Sequence, residues 1–136
     1  MPNWVSRYND FTGEIEFKKV LCNMMEKHWT KCKVEPEQIA VQAGCGAILE
    51  SLFYMLANEG DSIILPGPIY PNFMIDAFLR ARVNIEVAPC SWETNFEITE
   101  DILEAAYQNA VKNGSPPKIM LLCQPCNPNG KIYSRS

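Results

Sequence analysis

Along "GEIEFKKVLCNMMEKHW" the positions Phe17, Val20, Leu21, Met24 and His28 recur every three to four residues, the period of one helical face. The pattern predicts an amphipathic helix over 13–30. Thr12 is placed to cap it, and Glu14 and Glu16 sit in its first turn, where the helix dipole favours carboxylates. His28, the sole histidine, falls on the core-side stripe and reads as structural. After the polar connection "CKVEPEQ", the short, partly β-branched run "IAVQAG" (39–44) predicts a strand. In "AILESLFYMLA" (47–57), Ile48, Leu49, Leu52, Phe53 and Leu56 return to helical spacing, and Asn58-Glu59-Gly60 ends the helix, with Gly60 suited to a left-handed cap.

The pattern then alternates. "SIIL" (62–65) reads as a strand stopped by Pro66-Gly67-Pro68, and "PNFMIDAFLRA" (71–81) as a helix with Pro71 in its first turn. "VNIEVA" (83–88) predicts a third strand and "PCSWETNFE" a loop. "TEDILEAAYQNAVKNG" predicts a helix capped by Thr99, stopped at Asn113-Gly114, with Ile102, Leu103, Ala106, Tyr107 and Ala110 inward. "KIMLLC" (118–123) is the fourth strand. Alternating strands and helices imply an α/β fold with a mainly parallel sheet and right-handed crossovers. Ligands of such sheets gather beyond the carboxyl ends of the strands. Three loops are expected there: "AGCGA", "PGPIYPNF" and "QPCNPNG".

Composition narrows the class. The 136 residues suffice for one domain with a sizeable core. Net charge is 12 − 16 = −4 with no basic cluster, so the footprint of a nucleic-acid binder is missing. No apolar run approaches the roughly 18 residues of a membrane span. The start, Met1-Pro2-Asn3-Trp4, has neither the basic nor the apolar region of a signal peptide. The expectation is a cytoplasmic protein whose six cysteines are free thiols. The chain reaches Ser136 only a few residues after a strand and a loop. A domain normally covers its last strand, so a piece of a longer polypeptide is expected.

The three loops carry the candidate chemistry. In Ala43-Gly44-Cys45-Gly46-Ala47, small residues let backbone N–H groups approach a bound phosphate at a helix start. The pattern is neither a P-loop nor G-x-G-x-x-G, and taken alone a tight strand-to-helix turn accounts for the glycines better than a phosphate site does. Tyr70, beside Pro71, is an aromatic suited to stacking on a planar ring, or to packing over its own loop. Asn127, in Asn-Pro-Asn-Gly, has an amide that could orient a ring oxygen, or it belongs to a plain turn. Cys123 and Cys126 have thioredoxin-like spacing. That chemistry needs the first thiol at a helix N-terminus, whereas turn formers follow here. One cysteine pair also leaves a zinc site two ligands short, so no metal is expected.

Four stretches in this order resemble the class I/II pyridoxal-phosphate (PLP) aminotransferase family, nearest its 1-aminocyclopropane-1-carboxylate (ACC) synthase-like members: "YNDFTGEIEFKKVLCNMMEK", "IAVQAGCGAILESLFYMLANEGDSIILPGPIYPNF", "NFEITEDILEAAYQNA" and "IMLLCQPCNPNGKIYS". The resemblance implies a type I PLP-dependent transferase fold. Residues 1–136 would form an incomplete large domain of a three-layer α/β/α architecture, with the helix at 13–30 and the sheet and cofactor loops at 39–136. It also implies a homodimer acting on an amino acid; charge and hydropathy, as above, give no nucleic-acid or membrane partner. By the same resemblance the cofactor phosphate maps to Gly44, Cys45 and Gly46, with Ala43 beside them. Ring stacking maps to Tyr70, the ring 3-oxygen contact to Asn127, and the residue reaching the partner subunit's phosphate to Tyr8.

Two departures stand out. Many family members carry hydroxyl residues in the phosphate turn, where this chain has Ala43 and Cys45. The family's Schiff-base lysine, its pyridine-nitrogen aspartate and its arginines lie further along, and none of the eight lysines here matches that context. No catalytic residue is therefore expected in this chain, nor catalysis by it alone. The alternatives are a non-catalytic relative kept as a binding module, and a thiol oxidoreductase using Cys123 and Cys126.

Overall fold

The central strand is the most apolar one. β1 (Ser62–Pro66) is buried along its whole length, as a strand covered on both faces must be. Parallel neighbours flank it in the order β2-β1-β3. β2 (Asn84–Ala88) runs in register from Ser62↔Asn84 to Pro66↔Ala88. β3 (Pro117–Met120) pairs Ile63 with Ile119 and Ile64 with Met120, after a register shift at Ser62/Ile63. The two outer strands alternate in burial or are exposed in part.

The computed structural model describes residues 3–6 and 8–134; Met1, Pro2 and Ser136, read above from the sequence, lie outside them. Two compact units divide the chain, Met1–Gly44 and Cys45–Ser136.

The second unit holds the sheet between helices. α2 (Cys45–Leu56) and α3 (Asn72–Phe78) lie on one face. There Phe53, Ile63, Leu65, Ala77, Ala81 and Val83 form the main core. α4 (Glu100–Lys112) covers the other face, where Ile64, Ala88 and Ala106 pack together. The expected α/β/α layering is therefore present in this unit. Thr99 caps α4 as predicted, its hydroxyl accepting from the Ile102 N–H at 3.3 Å, and Gly60 and Gly114 take positive φ at the turns after α2 and α4. Two details differ. β3 stops at Met120, three residues short of Cys123, and Tyr107 lies at the surface of α4.

The first unit departs further from expectation. α1 spans Ile15–His28, and Glu14, without a side-chain bond, takes the cap position. The Thr12 hydroxyl is engaged elsewhere, accepting from Lys18 Nζ at 2.8 Å. The buried residues of α1 are Lys18 and Cys22. Phe17, Val20 and His28 are exposed. The reason is the local partner: α1 packs on the turn Pro36–Gln38, and the backbone N–H of Val34 reaches Glu26 Oε1 at 2.7 Å. That packing leaves Phe17 and Val20 open while Leu21 and Met24 are half-buried. Residues 39–44 form no strand. A strand needs a ladder partner, and here the Val41 N–H bonds to the Thr12 carbonyl at 2.9 Å and the Gly44 N–H to Gln42.

Candidate functional site

In the second unit, the loops after β1 and β3 meet. The Cys126 thiol lies 3.5 Å from the Pro68 carbonyl. Together Pro66, Pro68, Cys123, Cys126, Asn127 and Tyr133 line a small crevice. The β3 loop is shaped by its own turn, with the Gly130 N–H on the Cys126 carbonyl at 2.7 Å and the Cys126 N–H on the Lys131 carbonyl at 2.8 Å. Lys131 is paired with Glu97.

Each sequence-predicted residue can be located. Tyr70 follows β1 and is partly exposed. Its ring meets Phe73 edge-on, with centroids 5.6 Å apart at 85°. Its hydroxyl accepts from Asn72 Nδ2 at 2.9 Å. These two contacts fix the ring plane while leaving part of the ring open to solvent. Asn127 is exposed, and its amide has no hydrogen-bond partner among the described residues. Cys45 is the first residue of α2 and is exposed. Gly46 follows it, and the leading N–H groups of a helix have no intrahelical acceptors. This first turn therefore offers donors to an anion.

One neighbour complicates that turn. A Cβ on Gly46 would stand 3.2 Å from Asp76 Oδ1 on α3, so a carboxylate already lies beside the helix start. Gly44, with φ +89°, closes the first unit. Tyr8 lies in that unit as well and is 99% exposed. The structure thus brings the Tyr70 and Asn127 loops into contact and sets Gly46 against α3, while Tyr8 and Gly44 belong to the other unit.

Three features escaped the sequence reading. Tyr133 has a buried hydroxyl with no hydrogen-bond partner of good geometry among the described residues. Burial first, and then the neighbouring Cys126 thiol, push its pKa up to about 12. Cys90, past β2, has its thiol pushed up by burial, with a Gly67 backbone bond working against that. Asp76 sits at the α2 start. Nothing in the local sequence marks these residues, because each acquires its role from where the fold places it. Of the two closely spaced thiols, Cys126 is buried and Cys123 half-buried, and no helix begins at either. No cluster of three metal-ligating side chains occurs among the described residues. No described helix is long and apolar enough to cross a membrane.

Residues 3–136 match the family model described as aminotransferase class I and II. The chain belongs to that family. Among its relatives, ACC synthase 6 of Arabidopsis thaliana is 36% identical over 132 residues, covering 96% of this chain and 27% of that protein. ACC synthase 9 of the same plant is 37% identical over 131 residues, with 94% and 27% covered. The chain therefore spans about a quarter of the length of these relatives. Solved structures agree on the fold. The aspartate aminotransferase of Rhizobium meliloti matches with TM-score 0.76 at 25% identity, covering 94% of this chain and 30% of that one. An archaeal alanine:glyoxylate aminotransferase matches with TM-score 0.77 at 26% identity, covering 94% and 31%. The second unit is thus a piece of the type I PLP-dependent transferase fold, and the family's cofactor is PLP.

Proposed function

We propose that this chain is the N-terminal part of the large domain of a cytoplasmic, homodimeric PLP-dependent enzyme acting on amino acids, ACC synthase-like in type. The family match over nearly the whole chain carries this reading. The 36–37% identity to ACC synthases supports the finer assignment. Six free thiols suit a reducing compartment. Bound PLP supplies an electron sink for charge developing at the amino-acid α-carbon.

This chain's own residues would bind and orient that group. The N–H groups at Cys45 and Gly46, with Gly44 before them, fit a phosphate at a helix start. Tyr70, held by Phe73 and Asn72, would stack on the ring, and Asn127, whose amide is unengaged among the described residues, would donate to the ring 3-oxygen. Tyr8, exposed on the N-terminal arm, would reach the phosphate held by a second subunit.

No lysine in the chain matches the family's Schiff-base position, so no turnover is expected from these residues alone. Incubation with PLP and borohydride, followed by mapping of modified lysines, tests this. Scattered, substoichiometric labelling is expected. Stoichiometric capture at a single lysine together with turnover would overturn it.

A second reading, a non-catalytic relative kept as a binding module, is favoured by one observation. The Asp76 carboxylate beside Gly46 opposes an anion at the α2 start, where Cys45 brings no hydroxyl. PLP titration separates the two. Saturable binding that weakens on Asn127→Ala supports the enzyme reading, and absence of binding supports the module.

A further inference from the structure

Lys18 is the buried cation of α1, only 5% exposed. A buried ammonium is costly unless its protons find acceptors, so its partner has structural weight. Lys18 Nζ donates to Thr12 Oγ1 at 2.8 Å. The same hydroxyl donates its proton to Asp10 Oδ1 at 2.5 Å, and the Thr12 N–H donates to that oxygen at 2.7 Å. A hydroxyl can accept from an ammonium and donate to a carboxylate at once, so Thr12 links a charge on the helix to a charge on the arm before it. These bonds also hold the Asp10 carboxyl below its ordinary pKa, the Thr12 side chain contributing most.

The backbone of the arm is fixed by the same residues. The Gly13 N–H closes a turn onto the Asp10 carbonyl at 3.0 Å, and the Thr12 carbonyl accepts from Val41 N–H at 2.9 Å. Gly13 has φ +112°, and a Cβ there would come within 2.9 Å of the Val41 side chain. The arm is therefore held from three sides. Yet its two aromatics point outward, Tyr8 at 99% and Phe11 at 98% exposure. Large aromatics left this open on a tethered segment gain nothing from their own unit.

We infer that Lys18, acting through Thr12 and Asp10, is a positioning residue that holds arm residues 8–13 so that Tyr8 and Phe11 are presented to a second copy of the chain. The inference rests on the proposed role of Tyr8 at the neighbouring subunit's phosphate, and it adds the device that aims the arm. Lys18 itself touches no ligand.

The test uses Thr12→Val, Thr12→Ser, Lys18→Met and Tyr8→Phe, with amide hydrogen exchange at Gly13 and Val41 and PLP affinity as readouts. Thr12→Val and Lys18→Met are expected to speed exchange at both amides by about tenfold, the scale of one lost charge-assisted bond. Both are also expected to weaken PLP binding as Tyr8→Phe does. Thr12→Ser, which keeps the hydroxyl, restores both readouts; a loss that serine does not rescue overturns the linkage. Thr12→Val also guards against a Lys18→Met variant that fails to fold. Unchanged exchange in Thr12→Val overturns the inference. So does faster exchange with unchanged PLP affinity when Tyr8→Phe weakens it. If Tyr8→Phe has no effect on affinity, the phosphate role of Tyr8 fails. The clamp is then judged on exchange alone, upheld by lost protection and overturned by retained protection.

Discussion

The Cys126 thiol meets the Pro68 carbonyl at 3.5 Å across 58 positions of sequence. That contact joins the loop after β1 to the loop after β3. It sets Asn127, the next residue, at the carboxyl end of the sheet, in the crevice that Pro68 also lines. A small buried thiol fits there where a larger side chain would part the loops.

Asn127→Ala should separate binding from stability. The side chain is exposed, so unfolding free energy should change by less than about 0.5 kcal/mol. PLP affinity should fall by about three- to tenfold, the worth of one hydrogen bond. Denaturant unfolding and an absorbance titration measure the two. Unchanged affinity would remove Asn127 from the site.

Asp76→Asn should act in the opposite direction. The carboxylate stands beside the first turn of α2, whose partial positive charge favours anions by about 0.3–1 kcal/mol. Removing the competing charge should tighten PLP or inorganic phosphate by about two- to fivefold at low salt, with the gain fading as salt rises. Equal affinity for the variant at every salt concentration would show that no phosphate sits there.

Tyr133→Phe should be neutral or stabilising by up to about 1–2 kcal/mol, because the buried hydroxyl it removes has no good partner among the described residues. The pH dependence carries a sign. A tyrosine with its folded pKa raised to about 12, against 10.0 for the free group, favours folding while protonated. That contribution is present below pH 10 and is lost as pH rises from 10 through about 12. Unfolding followed across that range should decline more steeply for the parent than for the variant. Parallel curves would contradict the buried state of the hydroxyl.

Gly67→Ala should destabilise by about 1–3 kcal/mol, the ordinary cost of overpacking. A methyl there would stand 3.0 Å from Val87 Cγ1 and 3.4 Å from the Ala88 carbonyl. The same carbonyl accepts the Gly67 N–H at 2.8 Å. Thermal unfolding with no shift would mean that β2 yields easily at its end.

The isolated chain should self-associate. Met55 is 68% exposed and Leu79 73%. An open apolar groove of about 440 Å³ runs between α3 and β2, lined by Met74, Ile75, Phe78, Leu79, Val83 and Ile85. Patches of this kind drive association. Sedimentation as a monodisperse monomer at micromolar concentration would contradict it.

Residue type and spacing by themselves determined much of this protein. The apolar run at 62–65 announced a strand, Thr99 announced the start of α4, and Tyr70 and Asn127 fell in loops past strand ends. Such features rest on short-range physics: hydrophobic period, caps and turn chemistry all act within a few residues. Tertiary structure decided the rest. The Phe17–Val20 stripe of α1 looks like a core face, yet burial went to Lys18 and Cys22, because a stripe is buried only where a partner covers it. Residues 39–44 have strand composition but no ladder, since the Val41 N–H is taken by Thr12. Asp76 beside Gly46, Cys126 against Pro68 and the orphaned Tyr133 hydroxyl are meetings of distant segments. They depend on how the sheet and helices stack, which a local pattern does not encode.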